Sequence, residues 1–361
     1  MKRLITRFIG LSALLMVLAI PSVLAQETWL SIGQIREQAP SRWTQAYETP
    51  WRTVVIDVAV EIPAVEAFPI IRVMKTPAAD STLLGEACTV RRNESGMLSV
   101  DFGNSRLVLS EREEHREIRQ FSGGDLTGIT AEGSAISAEQ AVETLVNTVY
   151  RLTEHEHKGF ALESVIVYGT VWKYRFNGEE KVYTQPVTHE GNYGIELGQL
   201  FHGIPYRACG ECTESREEFR WPLRASVTGT VCSEDRFTLS ANLLDEVDVV
   251  QDDVPILSFS DAKAAIEAQI MSGHLRTIDT LELAYAPYLD PDQKGVFWLL
   301  PVWVARGGYE SDAAREFAST DEESLNRVQI VFHAQTGELT VCGEGKSDRQ
   351  TPRIVTWDDL R

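Results

Sequence analysis

Apolar and polar positions alternate most regularly between Val54 and Ile62. Val54, Ile56, Val58, Val60 and Ile62 fall on one side, and Val55, Asp57, Ala59 and Glu61 on the other. Successive strand side chains point to opposite faces, so this run predicts a β-strand with one buried face, ended by Pro63. Pro69–Met74 predicts a second strand, with shorter ones at Leu98–Phe102 and Arg106–Leu109. Ser137 and Gln140 form an S-x-x-Q capping box, and Ala138, Ala141, Val142, Leu145, Val149 and Leu152 then recur at helical spacing. Strands at Ala161–Val167 and Thr170–Phe176 follow, and Asn177-Gly178 predicts a tight hairpin into Lys181–Thr184. Further strands are expected near Gly194–Leu200, Ala225–Cys232 and Arg236–Leu244.

The pattern then recurs. Ser260 is placed to cap a helix carrying Ala262, Ala265, Ile266 and Ile270 on one face, with Gly273 at its C-terminal turn. Strands are expected at Thr277–Ala286, Val296–Ala305, Arg327–His333 and Glu338–Cys342. In Val296–Val304, alternation sends Phe297, Leu299, Pro301 and Trp303 one way and Trp298, Leu300, Val302 and Val304 the other. Both faces are apolar, which predicts a strand sandwiched between layers; a ligand-stacking platform is the alternative use of these aromatics. The fold class expected is α+β, with tandem helix-on-antiparallel-sheet domains behind a β-rich N-terminal region. The boundaries expected are 1–25 for a leader, 26–135 for the β-rich region, 136–250 and 251–345 for the two α+β domains, and 346–361 for a tail.

The second half, from Ile256–Ala262 through Leu281–Tyr285, Trp298–Trp303 and Val331–Gly337, resembles a PepSY-type domain. The layout is similar to the extracytoplasmic YycH/YycI regulators of histidine kinases in Gram-positive Firmicutes. The mature chain also resembles exported clostridial proteins with early strands like Val58–Pro63 and Pro69–Val73. This resemblance spans roughly residues 50–345. It implies a fold and no catalytic residues.

The N-terminus sets the compartment. Lys2, Arg3 and Arg7 precede an apolar run from Phe8 to Leu18, and Val23 and Ala25 fit a signal-peptidase site cut after Ala25. Phe8 to Ala25 contains Pro21 and falls at the short limit for spanning a bilayer. The expected location is therefore extracytoplasmic, with membrane contact only through an uncleaved leader. Asp and Glu number 53 against 34 Lys and Arg, giving a formal charge of −19. That excess argues against nucleic acid and anionic lipid as partners.

No catalytic constellation survives inspection. Of the five cysteines, Cys209 and Cys212 form a C-x-x-C pair, read as a disulfide, free thiols, half of a metal site or a redox pair. His155-Glu156-His157 lacks the i, i+4 spacing of a zinc helix. Ser260 to Lys263 spells S-x-x-K without its partner motifs, and Gly345-Lys346-Ser347 lacks the first glycine of a P-loop. Asp290, Asp292 and Gly295 imitate a calcium loop, but Lys294 and Pro301 occupy ligand positions, leaving a hairpin turn. No cofactor is expected. The function expected is a non-catalytic extracytoplasmic binding or regulatory protein with an envelope protein or peptide partner. The alternatives are a metal- or redox-responsive protein using Cys209 and Cys212, or a secreted hydrolase with dispersed acids.

Overall fold

The computed structural model describes residues 29–75, 88–92, 98–102, 113–115, 118–121, 125–153, 159–168, 171–177, 180–187, 191–207, 226–234, 236–273, 275–290, 292–293, 295–309, 326–342 and 354–360. The chain opens with β1 (Trp29–Leu30), α1 (Ile32–Gln38), β2 (Arg42–Glu48), β3 (Thr53–Glu61) and β4 (Ile70–Lys75). A middle stretch holds β5 (Cys88–Arg92), β6 (Leu98–Phe102), β7 (Glu113–His115), β8 (Ile118–Phe121), α2 (Ala138–Thr153), β9 (Gly159–Tyr168), β10 (Val171–Asn177), β11 (Glu180–Val187), β12 (Asn192–Phe201), β13 (Ile204–Pro205), β14 (Ser226–Ser233) and β15 (Arg236–Asn242). The last stretch holds β16 (Leu244–Gln251), β17 (Ile256–Leu257), α3 (Phe259–Met271), β18 (Thr277–Leu289), β19 (Val296–Tyr309), β20 (Asn326–His333) and β21 (Leu339–Cys342).

These strands overturn the tandem helix-on-sheet expectation. The chain is mostly β, with three sheets of three or more strands and three α-helices among the described residues. An outer sheet runs β16-β4-β19-β18-β3-β2, with β20 and β21 continuing from β19. An inner sheet runs β5-β6-β15-β14-β12-β9-β8, with β13 hairpinned to β12. A third sheet runs β11-β10-β7. The physical reason is pairing between distant segments. β4 bonds to β16 and β19, and β3 meets β18 in parallel, so early strands complete a sheet begun much later in the chain. Local periodicity identifies such strands but not their partners.

Several elements form as their sequences predict. β3 buries Val54, Ile56, Val58 and Val60 and exposes the alternate residues. The Ser137–Gln140 box caps α2, with Gln140 N–H donating to Ser137 Oγ at 3.2 Å and Ser137 N–H to Gln140 Oε1 at 2.9 Å. The β10–β11 ladder reaches Asn177 opposite Glu180, the register of a two-residue hairpin. The second helix cap differs: Ser258, not Ser260, accepts from the Asp261 N–H, and Asp261 answers the Ser258 N–H at 3.0 Å. Both β19 faces are buried. Phe297, Leu299 and Trp303 join one core, and Leu300, Val302 and Val304 join the other. Each such buried side chain contributes about 1.5–3 kcal/mol.

Edge-on rings tie α3 to its sheet: Tyr47 on Trp43, Trp43 on Phe259, and Phe259 on Trp303, with centroids 5.6–6.3 Å apart. Trp303 is fully buried and its indole N–H donates to the Leu257 carbonyl at 3.2 Å. α2 covers one face of the inner sheet with Ala138, Ala141, Leu145 and Val149, against Val165, Tyr193, Ile195 and Val227.

The β12–β13 hairpin joins the two large sheets. His202, at φ 52°, and Gly203, at φ 79°, turn it, as a two-residue hairpin with both central residues left-handed requires. Phe201, Ile204 and Tyr206 then enter the outer core. The buried Gln199 amide bonds both backbone groups of Leu244, donating at 2.7 Å and accepting at 3.0 Å.

Candidate functional site

The inner sheet leaves one face uncovered by α2, and a trough of about 420 Å³ lies there. Its floor follows from strand alternation. Tyr193, Ile195 and Leu197 face the α2 core, so Gly194 and Glu196 face the trough. Register places Ser164, Glu196, Thr228 and Ser240 in one row across four strands. The adjacent row is Ile166, Gly194, Thr230 and Thr238. Five short hydroxyls thus share the floor with one carboxylate and the Tyr168 ring. Each hydroxyl both donates and accepts.

Two glycines of β12 admit close neighbours. A Cβ on Gly194 would meet the Tyr168 ring and hydroxyl at 3.0 Å, so the phenol end of Tyr168 lies against the bare backbone. A Cβ on Gly198 would strike the Glu163 carboxylate and come within 3.3 Å of Arg207 Nη1. Gly198 therefore lies directly against an ion network. A β-bulge between Glu196 and Leu197 frees Glu163 from the regular pairing of β9 with β12.

That network lies where the two sheets meet. Arg207 follows β13, and its backbone N–H donates to the Tyr285 carbonyl at 2.8 Å. Its guanidinium grips Glu282 with two bonds of 2.7 Å and Glu163 with one of 2.5 Å. Arg306 adds a 2.9 Å bond to Glu282 and approaches Glu163 at 3.8 Å. The Glu282 side chain is 3 % exposed and that of Arg207 13 %. Burial opposes the charge on Arg207, yet its bonds and attraction to Glu282 and then Glu163 carry its pKa up. Glu61 stands beside the cluster; desolvation first, and then repulsion from Glu282, push its carboxyl up. Paired bidentate bonds of this kind hold geometry, and they clamp the inner sheet to the outer one.

A hollow beside Trp51 and Gly273 measures about 10 Å³, at most the room of one water. Asp290 accepts the backbone N–H groups of Asp292 and Gln293 at 2.8 and 3.2 Å, and Arg72 stands 3.6 Å from its other oxygen, so this loop is a hairpin turn. Cys209, Cys212, Ala25 and His155 to His157 lie outside the described residues. Cys232 is a half-buried free thiol on β14, raised by burial. Among the described residues, no group of three or more His, Cys, Asp or Glu could hold a metal ion, and no helix is long and apolar enough to cross a membrane.

Sequence reading missed both the trough and the network. Their residues are scattered over seven strands and loops, with no motif spacing. One signal was present: Glu282 interrupts the apolar run Leu281 to Tyr285, where a lone carboxylate in a buried strand requires a partner.

No protein-family model and no curated protein matches the chain. Its fold is similar to the crystal structure of an uncharacterized protein from Eubacterium rectale ATCC 33656. The TM-score is 0.52 at 14% identity, over 83% of this chain and 93% of that one. At that identity the likeness concerns the fold alone.

Proposed function

We propose that this is a non-catalytic extracytoplasmic binding protein that regulates a protein or peptide partner, a segment of which lies in the trough of the inner sheet. The observation that carries this reading is the open, hydroxyl-lined trough of about 420 Å³, within the size of pre-formed ligand sites. The ionised groups of the Arg207 network are bonded to one another, which suits a clamp rather than proton transfer. The Lys2–Ala25 leader supports the compartment.

The test is retention of envelope proteins by the mature chain and by Thr230→Trp, which fills the trough. The wild type should retain a partner and Thr230→Trp should lose it, with thermal melts matching. Equal retention by both, or no partner for the wild type, would refute the reading.

A further inference from the structure

We propose that β2 is a self-association surface: two copies of this chain pair their β2 strands antiparallel about a two-fold axis at Gln45, joining their outer sheets edge to edge. This surface is separate from the trough of the inner sheet.

The first support is the state of the edge. β2 ends the outer sheet, and β3 is its one strand neighbour among the described residues. The Ser41 carbonyl accepts from Val60 N–H at 3.0 Å, and Thr49 N–H donates to the Arg52 carbonyl at 3.0 Å. In an antiparallel pair, backbone groups turn to a given neighbour at every second residue. These two bonds therefore aim the backbone groups of Trp43, Gln45 and Tyr47 at β3, and those of Arg42, Thr44, Ala46 and Glu48 outward. All four outward residues are exposed. The ladder to β3 runs from Arg42 to Glu48 without a bulge, and that stretch holds no Pro, Gly or Lys. A regular edge without those guards invites a further strand. β16, on the opposite side of the sheet, is guarded. Two register shifts break its ladder to β4, and it carries Asp245, Glu246 and Asp248.

The second support is that the β2 edge complements itself. Antiparallel pairing about Gln45 sets Arg42 opposite Glu48 of the second copy, and Glu48 opposite its Arg42. Thr44 then meets Ala46, and Gln45 meets Gln45. The outward backbone positions fall opposite one another, as bonded pairs must, and four such pairs give about eight N–H···O bonds. Any other register that keeps these bonds parts Arg42 from Glu48. Arg42 donates to Asp57 through Nε, and Glu48 accepts from Thr53 Oγ1 at 3.0 Å, so both ends are held on their own strands before they meet a partner. The net charge of β2 is zero, which leaves the overall −19 away from this edge. The same pairing of β16 would set acid against acid.

The third support lies one layer up. Lys263 stands over the Trp43 ring at 5.7 Å, and Glu267 accepts the Tyr47 hydroxyl. The two are bonded to each other at 3.1 Å on α3. Since the axis sets Trp43 opposite Tyr47 of the second copy, it also brings Lys263 toward Glu267 of that copy. Sheet and helix layers are thus complementary under one axis, which an interface between identical patches requires.

The experiment follows the mature chain by sedimentation velocity from about 1 to 100 μM. A reversible monomer–dimer equilibrium is expected. Ala46→Pro removes one outward N–H and leaves the β3 ladder whole, so it should weaken the dimer at least about tenfold. Glu48→Arg opposes like charges twice across the axis and should do the same, at least about tenfold. Mixed with Arg42→Glu, it should recover a heterodimer, because each variant supplies the charge the other lacks. Gln45→Cys should join two copies on mild oxidation beyond the wild-type level, since directly opposed residues fall within disulfide reach. Val55→Cys, at a position 65 % exposed on β3, should not. Thermal melts show which variants are folded, and the folded ones decide. A monomer at every concentration would overturn the proposal. So would a dimer that tolerates Ala46→Pro and Glu48→Arg, a mixture that stays monomeric, or Gln45→Cys joining no faster than Val55→Cys.

Discussion

Replacing Glu282 by Gln should be among the most damaging single-atom changes in this protein. The variant keeps shape and volume but removes the charge that two guanidiniums share. Arg207 would lose its bidentate partner and keep one bond to Glu163; Arg306 would keep Thr280, at 3.1 Å. With the Glu282 side chain 3 % exposed and that of Arg207 13 %, water can replace little of what is lost. Removing one member of a buried pair costs about 3–5 kcal/mol, and the second arginine places this site toward the upper end. Arg207→Met should cost less, because Glu282 retains Arg306 at 2.9 Å. The double variant Arg207→Met/Glu282→Leu should recover part of the loss, since the Glu282 charge is gone and Glu163 keeps Arg306 at 3.8 Å. Urea unfolding of the wild type, Arg207→Met, Glu282→Leu and the double variant closes the cycle, and hydrogen exchange at Leu244 and Tyr206 reports whether the sheets part there first. A cost below about 1 kcal/mol for Glu282→Gln, or strict additivity in the double variant, would show that the network is not a clamp.

Two further outcomes follow from caps and titration. Ser258→Ala should lower stability by about 1 kcal/mol through loss of the α3 capping box, while Ser260→Ala should change it by less than about 0.5 kcal/mol; thermal melts decide between them. Glu61 has its folded pKa raised, so its contribution is present below the unfolded value of 4.5 and is lost as pH rises through the folded value. Glu61→Gln should therefore melt higher than the wild type at pH 7 and equal to it below about pH 4; a gap that persists in acid would contradict this assignment.

Much of the local architecture was legible in the sequence. Alternation at Val54–Ile62 and at Val296–Val304 gave strands with one and two buried faces, because burial acts on each residue through its immediate period. The Ser137–Gln140 box marked α2 for the same reason. The same S-x-x-Q spelling at Ser31 and Gln34 caps α1 and passed unread, since seven residues are too few to show a helical stripe. The α3 cap falls at Ser258 and not at the expected Ser260, because Phe259 and Ser260 already belong to the helix; end positions slip by one or two residues. The assembly was hidden for a different reason. That β4 lies between β16 and β19 depends on contacts among residues far apart in sequence, and no window reports them. The trough shared that fate: Ser164, Glu196, Thr228 and Ser240 meet only through register. The mainly β class was missed because two recurring helices suggested two like units.

The register of β4 against β16 carries one more consequence. Lys75 and Leu244 are direct neighbours across that ladder, although β5 through β15 intervene between them along the chain. From the viewpoint of the outer sheet, everything from 76 to 243 is a loop whose ends already touch. Such a joint lets an inserted body be lengthened or trimmed without altering the strand order around it, so long as Phe201, Ile204, Tyr206 and Arg207 are kept for the outer core and the clamp. It also means that ribosomal synthesis completes the inserted body before the host sheet has all its strands, leaving β2, β3 and β4 waiting for partners that are made last.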